Sequence, residues 1–164
     1  MVEYGVNDYY KSKLEQGLEY QDFISDELRK LGIFAGIYSS RKFQIEKVES
    51  SVGIEIKYDM KFRKTGNLYI EIAEKSDQKL TEYTPSGVMR NDNSWLYVIG
   101  DYNEAFIFST AQLRDICSKN VMKFVQTPTS RGYLFPLSDR RTDYLCLKKL
   151  RFTFSSAGVD GKGR

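Results

Sequence analysis

Residues Gly53 to Lys75 read GIEIKYDMKFRKTGNLYIEIAEK, and the architecture turns on how this stretch folds. Two alternating runs, Gly53 to Tyr58 and Asn67 to Lys75, flank a polar turn through Lys64, Thr65, Gly66 and Asn67, and predict two antiparallel strands of a hairpin. Side chains of a strand alternate between its faces, so Glu55, Lys57 and Asp59 share one side of the first run and Ile54, Ile56 and Tyr58 the other. On the second run Glu71, Ala73 and Lys75 oppose Leu68, Ile70 and Ile72. A turn centred near Arg63 to Thr65 sets Lys57 opposite Glu71 and Glu55 opposite Ala73. Two acids and two lysines are then expected on one patch. A solvated sheet face has the same pattern, with each cross-strand Glu and Lys pair contributing about 0.2–1 kcal/mol.

Composition bounds the rest. A chain of 164 residues, 41% hydrophobic and 14% aromatic, suits one packed domain, expected over residues 1–154 with a flexible tail at 155–164. The 25 basic residues nearly balance 22 acidic ones, and a net charge of +3 permits contact with a polyanion without demanding it. No apolar run approaches the roughly 20 residues that span a bilayer. The opening MVEYGVNDYYKSKLEQ has neither the basic start nor the apolar core of a signal peptide. A cytoplasmic protein with no membrane partner is the expectation. Cys117 and Cys146 lie in apolar contexts far apart in sequence, which predicts buried thiols rather than a disulfide or a metal pair.

The chain contains no histidine. Ser-His and Cys-His nucleophile systems and histidine-ligated metals are therefore excluded. Acid-base work falls to carboxylates, lysines, tyrosines or water on a hard cation, and clustered carboxylates suit Mg2+ or Mn2+.

A helical stripe of Tyr10, Leu14, Leu18, Phe23, Ile24, Leu28 and Leu31 predicts a helix from Asn7 to Leu31 that stops at Gly32. Glu19 lies within it, either as an exposed helix acid or projecting toward a sheet packed beneath. Ile33 to Ser40 and Lys42 to Val48 are compatible with strands. Ser76 to Asn93, broken by Pro85 and Gly87, reads as a long loop, or a short helix between loops. Trp95 to Gly100 and Glu104 to Ser109 predict a buried antiparallel pair around Asp101 to Asn103, followed by a helix capped by Thr110 and running to Asn120. RGYLFPL at 131–137 suggests a strand; DYLCLKKLRFTF at 143–154 is compatible with a helix or a strand. The order is α+β, and no internal repeat is present.

GLEYQDFISDELRKLG, GIEIKYD, NLYIEIAEK, WLYVIG and EAFIFS, taken in that order, resemble the PD-(D/E)xK nuclease superfamily over roughly Gly17 to Asn120. The resemblance implies a restriction-endonuclease-like fold, a central mixed sheet flanked by helices. In that family a helix acid, an acid on the second strand and an acid-x-lysine on the third gather one or two divalent ions beside a scissile phosphate. Carried over, Glu19 corresponds to the helix acid, Glu55 to the second-strand acid and Glu71 to the third-strand acid. Ala73 stands where the family places its lysine, so Lys57 or Lys75 would have to replace it. A second alignment uses Asp59 as the strand acid.

The implied activity is endonucleolytic hydrolysis of phosphodiester bonds with Mg2+ or Mn2+, on DNA ahead of RNA. Lys61, Arg63, Lys64, Arg90 and Arg131, with Arg140, Arg141, Lys148 and Lys149, are the cations expected to grip the polyanion. A homodimer and a protein partner both fit the same fold. The rival expectation is a non-catalytic module on this fold that binds nucleic acid or a protein through the 76–93 loop and exposed tyrosines, and Ala73 supports it.

Overall fold

The computed structural model describes residues 5–33 and 53–153; the strands expected at Ile33 to Ser40 and Lys42 to Val48, and the tail, lie outside them apart from Ile33. The class is α+β. Among the described residues, in place of one central sheet there are two of four strands each, ordered β1-β4-β5-β8 and β3-β2-β7-β6. Their strands are β1 (Ile54–Tyr58), β2 (Asn67–Glu74), β3 (Thr84–Pro85), β4 (Leu96–Gly100), β5 (Glu104–Ser109), β6 (Lys123–Gln126), β7 (Ser130–Pro136) and β8 (Cys146–Arg151). The helices are α1 (Gly5–Lys30), α2 (Phe62–Thr65), α3 (Thr110–Ser118) and α4 (Arg140–Leu145), with a 3-10 turn at Gly87–Met89.

The predicted hairpin of β1 with β2 does not form. β1 pairs in parallel with β4, Glu55 beside Tyr97 and Lys57 beside Ile99. β2 pairs instead with β7 and β3 in the other sheet. The cause lies in the connection. Phe62 is buried, which pulls the linking segment inward as the helical turn α2, and Gly66 closes it in the left-handed region at φ 70° with its N–H on the Phe62 carbonyl. Asp59 caps the start of this turn, accepting from the backbone N–H groups of Lys61 and Phe62 at 2.9 and 3.1 Å.

α1 behaves as its stripe predicts over its second half. Tyr20, Ile24 and Leu28 are fully buried against Ile54, Ile56 and Val98, whereas Leu14 and Leu31 are 39% and 47% exposed. The stop at Gly32 is a Schellman cap: Ile33 N–H reaches the Leu28 carbonyl and Gly32 N–H that of Arg29, both at 2.9 Å, with Gly32 at φ 78°. The β4–β5 hairpin forms as expected, and every β4 residue is buried. α3 is capped by Ser109, whose side chain accepts from Gln112 N–H, not by Thr110. The untyped segment near the C-terminus resolves into α4 and then β8.

Sheet one is covered on both faces. α1 covers one; on the other, Tyr97, Ile99, Phe106 and Phe108 pack with Leu68, Ile70 and Phe135 of sheet two and with Leu113 and Cys117 of α3. Both cysteines are free thiols; Cys117 is buried, which pushes it up to about 12, and Cys146 is half-buried. Among the described residues no helix is long and apolar enough to cross a membrane.

Leu68 is fully buried in the core shared by the two sheets. Leu68→Ala should cost about 2–5 kcal/mol, read from urea denaturation. Leu147→Ala, at a side chain 56% exposed, should change stability by less than about 0.5 kcal/mol.

Candidate functional site

β1 buries Ile54 and Ile56 under α1, and its alternation turns Glu55 and Lys57 to the opposite face, where both are half-buried. Their charged ends meet at 3.1 Å, with side chains 17% and 30% exposed. Burial works against the Lys57 ammonium, but Glu55, and after it Glu71, outweigh it and hold the amine above its ordinary 10.5. Lys57 and Glu71 make no direct ion pair; the acid acts at longer range.

Glu71 comes from β2 at a bulge between Glu71 and Ala73. A bulge re-aims the side chain it carries. Both carboxylate oxygens receive hydroxyl donors: Ser86 on Oε1 at 2.8 Å and Ser130 on Oε2 at 3.2 Å. Tyr69 Oη lies 2.6 Å from Ser130 Oγ, and since Ser130 spends its proton on Glu71, Tyr69 is the donor to Ser130. Ser86 is buried, brought in by the 3-10 turn that packs on β2, and its own N–H bonds the Ile72 carbonyl at 3.0 Å. Gly87 sits at φ 51°, and a Cβ there would lie 2.4 Å from the Glu71 carbonyl oxygen. Only glycine permits that approach.

Two further groups border the pair. Tyr97, beside Glu55 in the parallel ladder, is fully buried and its hydroxyl has no hydrogen-bond partner. Burial, then the charges of Glu55 and Glu71, push its phenol well above the usual range. The half-buried Arg90 is close enough for its positive charge to act on Lys57. Its backbone is fixed by Arg114, whose guanidinium donates to the carbonyls of Val88 and Arg90 at 2.7 and 2.8 Å.

The other predicted residues fall elsewhere. Glu19 is exposed on α1, near enough to raise the Tyr102 phenol and across sheet one from the Glu55 face. Asp59 is committed to backbone, since Oδ1 accepts from Lys61 and Phe62 and Oδ2 from Tyr69 N–H at 3.1 Å. Lys75 is directed away, donating to the Leu80 carbonyl at 2.8 Å and lying 4.6 Å from the Tyr83 ring centre. Arg131 occupies the same ring at 3.9 Å and bonds Gln126. Arg63 is paired with Asp101 at 2.5 Å, while Lys61 and Lys64 are exposed at the ends of α2. Arg141 pairs with Asp139 and Lys149 with Glu104; Arg140 and Lys148 are exposed.

Glu55 and Glu71, then, are the carboxylates brought near Lys57. Among the described residues no three His, Cys, Asp or Glu side chains form a metal cage. Mg2+ and Mn2+ take as few as one or two protein carboxylates and fill their other positions with water and phosphate oxygens. Ser86, Ser130 and Tyr97 carry no sequence signal of this role: isolated serines have no pattern, and WLYVIG reads as core. No family model, no curated protein and no solved structure matches the chain.

Lys57 contributes stability in full below about pH 10.4 and loses it as pH rises through its raised folded pKa. Urea midpoints of native and Lys57→Gln protein should therefore converge as pH rises above about 10.4; parallel curves would show no such coupling. Gly87→Ala should lower stability by at least about 1–2 kcal/mol. Gly17→Ala, in helix interior with open space at its Cβ, should raise it by about 0.5–1 kcal/mol, both measured by thermal denaturation.

Proposed function

We propose that the protein is a divalent-metal-dependent nuclease that hydrolyses phosphodiester bonds of nucleic acid, DNA ahead of RNA on the resemblance alone. One observation carries this proposal: Glu55-Ile56-Lys57 presents an acid and a lysine 3.1 Å apart on one strand face, within the electrostatic reach of a second, hydroxyl-braced acid from another sheet. Glu55-Ile56-Lys57 has an acid-x-lysine spacing on the strand where the resemblance puts only an acid, while Glu71, the acid expected to carry it, is followed by Ala73 in place of the lysine.

Glu55 and Glu71 would hold Mg2+ or Mn2+. Bound there, the ion supplies Lewis-acid polarisation of a phosphoryl oxygen and a lowered pKa for water. The protein's own contributions follow from the charges. Lys57 stays protonated at neutral pH, because the two acids hold its pKa up, so it stabilises negative charge developing on phosphate and is not a base. Ser86 and Ser130 fix the Glu71 carboxylate plane, with Tyr69 ordering Ser130. Arg90 adds positive charge on the same side. Tyr69 and Tyr97, both pushed up by burial, act as donors.

A second reading, the non-catalytic module, is favoured by a different observation: Glu55 is already ion-paired with Lys57 and Asp59 is consumed by backbone N–H groups. Cleavage of labelled DNA and RNA with Mn2+, Mg2+ or EDTA separates the two. Metal-dependent cutting is expected, lost in Glu55→Ala and Glu71→Ala, lowered about 100-fold or more in Lys57→Gln, and kept in Lys75→Ala. Absence of cutting by folded native protein on every substrate would decide for the module.

A further inference from the structure

We propose that the free edge of β6 is an interaction surface for a second copy of this chain, the two β6 strands pairing antiparallel about a two-fold axis. The inference is independent of the chemistry proposed above.

β6 ends sheet two, and among the described residues nothing pairs with its outer side. The ladder shows which of its main-chain groups are left over. Thr127 N–H bonds the Ser130 carbonyl at 2.8 Å and closes the β6–β7 hairpin. Bonded pairs alternate along an antiparallel ladder, so Val125 with Gly132 and Lys123 with Leu134 spend their main-chain groups on β7. The N–H and carbonyl groups of Phe124 and Gln126 therefore turn outward.

β3 and β8, edges of the same two sheets, carry devices against pairing that β6 lacks. β3 is two residues long and ends in Pro85, which has no N–H. β8 shifts register against β5 between Ile107 and Phe108 and bears Lys148, Lys149 and Arg151, so a second β8 would set cations against cations. β6 is regular, holds no proline or acid, and has Lys123 as its one charge. It also leaves Phe124 45% exposed, at the end of a row that runs Ile70, Tyr133, Phe124 across sheet two.

These features select the occupant. Main-chain pairing must oppose outward-facing residues to one another, and a two-fold axis at Phe124 does so. Phe124 then meets Phe124 of the second copy and continues the apolar row, while Lys123 faces the neutral Val125 of the second copy, so no like charges are opposed. The strand is complementary to itself. Its contact is small beside the about 1,600 Å2 of a standard interface, so the association is reversible and set by concentration.

Sedimentation equilibrium of the native chain should show a mass that rises from monomer toward dimer at concentrations up to about 1 mM. Phe124→Lys sets two ammonium groups across the axis and should return the monomer. Gln126→Pro removes an outward N–H that β7 does not use, and should weaken association about 10-fold. Leu147→Lys, at an exposed position on the β8 edge, should leave it unchanged. Amide exchange reads the same event by residue: between dilute and concentrated native protein, Phe124 and Gln126 should gain about 10-fold in protection, while Lys123 and Val125, bonded to β7 in both states, keep theirs. A monomer at every concentration would overturn the proposal. So would a dimer that Phe124→Lys and Gln126→Pro leave intact, with both variants folded by circular dichroism, or one that Leu147→Lys abolishes.

Discussion

The Asp59 carboxylate holds the corner on which the arrangement depends. The chain leaves sheet one at Tyr58 and enters sheet two at Asn67, and Asp59 bonds across that passage. Oδ1 caps α2 through Lys61 and Phe62, Oδ2 takes the N–H of Tyr69 in β2, and the Asp59 N–H reaches the Gly100 carbonyl at 2.8 Å. Hydrogen bonds to an ionised acceptor are the stronger kind, about 1.5–3 kcal/mol each. One side chain thus fixes the end of β1, the start of β2 and the end of β4 relative to one another. Glu55 and Lys57 lie just before the corner, Glu71 a few residues after it, and Tyr97 on the strand it touches. Their mutual placement follows from a residue whose own carboxylate is spent on backbone N–H groups.

This corner also explains which features were legible in the sequence. Alternation in GIEIKY and NLYIEI reports the faces of each strand, because burial acts on side chains with a period of two. It is silent on which strand lies alongside, and so the hairpin expected from adjacency gave way to two sheets once Phe62 was buried. β4 and β5 were legible in full, since their apolar runs flank a three-residue turn closed by Asp101, which accepts from the N–H groups of Asn103 and Glu104. β6 was not, because its residues are almost all exposed and leave no pattern. In the site, the charged residues of the central stretch could be singled out by type. Asp59 could be noticed but not assigned, since a capping carboxylate and a ligating one have the same letter; its backbone partners decide.

Charge is distributed in the same economical way. Glu104 is surrounded by Lys149 at 2.9 Å, Arg151 at 3.5 Å and Arg63 at 3.9 Å, and Asp101 takes Arg63 more closely. These cations stitch α2, the β4–β5 hairpin and β8, and they are not free to form a uniform basic face. Lys75 and Arg131 likewise flank Tyr83, whose hydroxyl bonds the Thr127 carbonyl at 2.7 Å. Such pairs near the surface contribute little each, about 0–1 kcal/mol. Their larger consequence is local: the small net charge of +3 says little about where an anion would find positive potential. Lys57 and Arg90 are the cations set beside the acids.

Without histidine, the division of labour at the acids is set by which groups hold their protons. Lys57 is held charged by Glu55 and Glu71, and the phenols of Tyr69 and Tyr97 are pushed up by burial. All three are therefore donors at neutral pH, and none can accept a proton from water. Both Glu71 oxygens already receive hydroxyl bonds, and Glu55 faces an ammonium. On the proposed reading, such a patch would hold a cation and stabilise charge on a phosphate rather than shuttle protons by side chain. Activation of water would then fall, on the reading proposed above, to a bound ion, because Lys57, Tyr69 and Tyr97 all hold their protons.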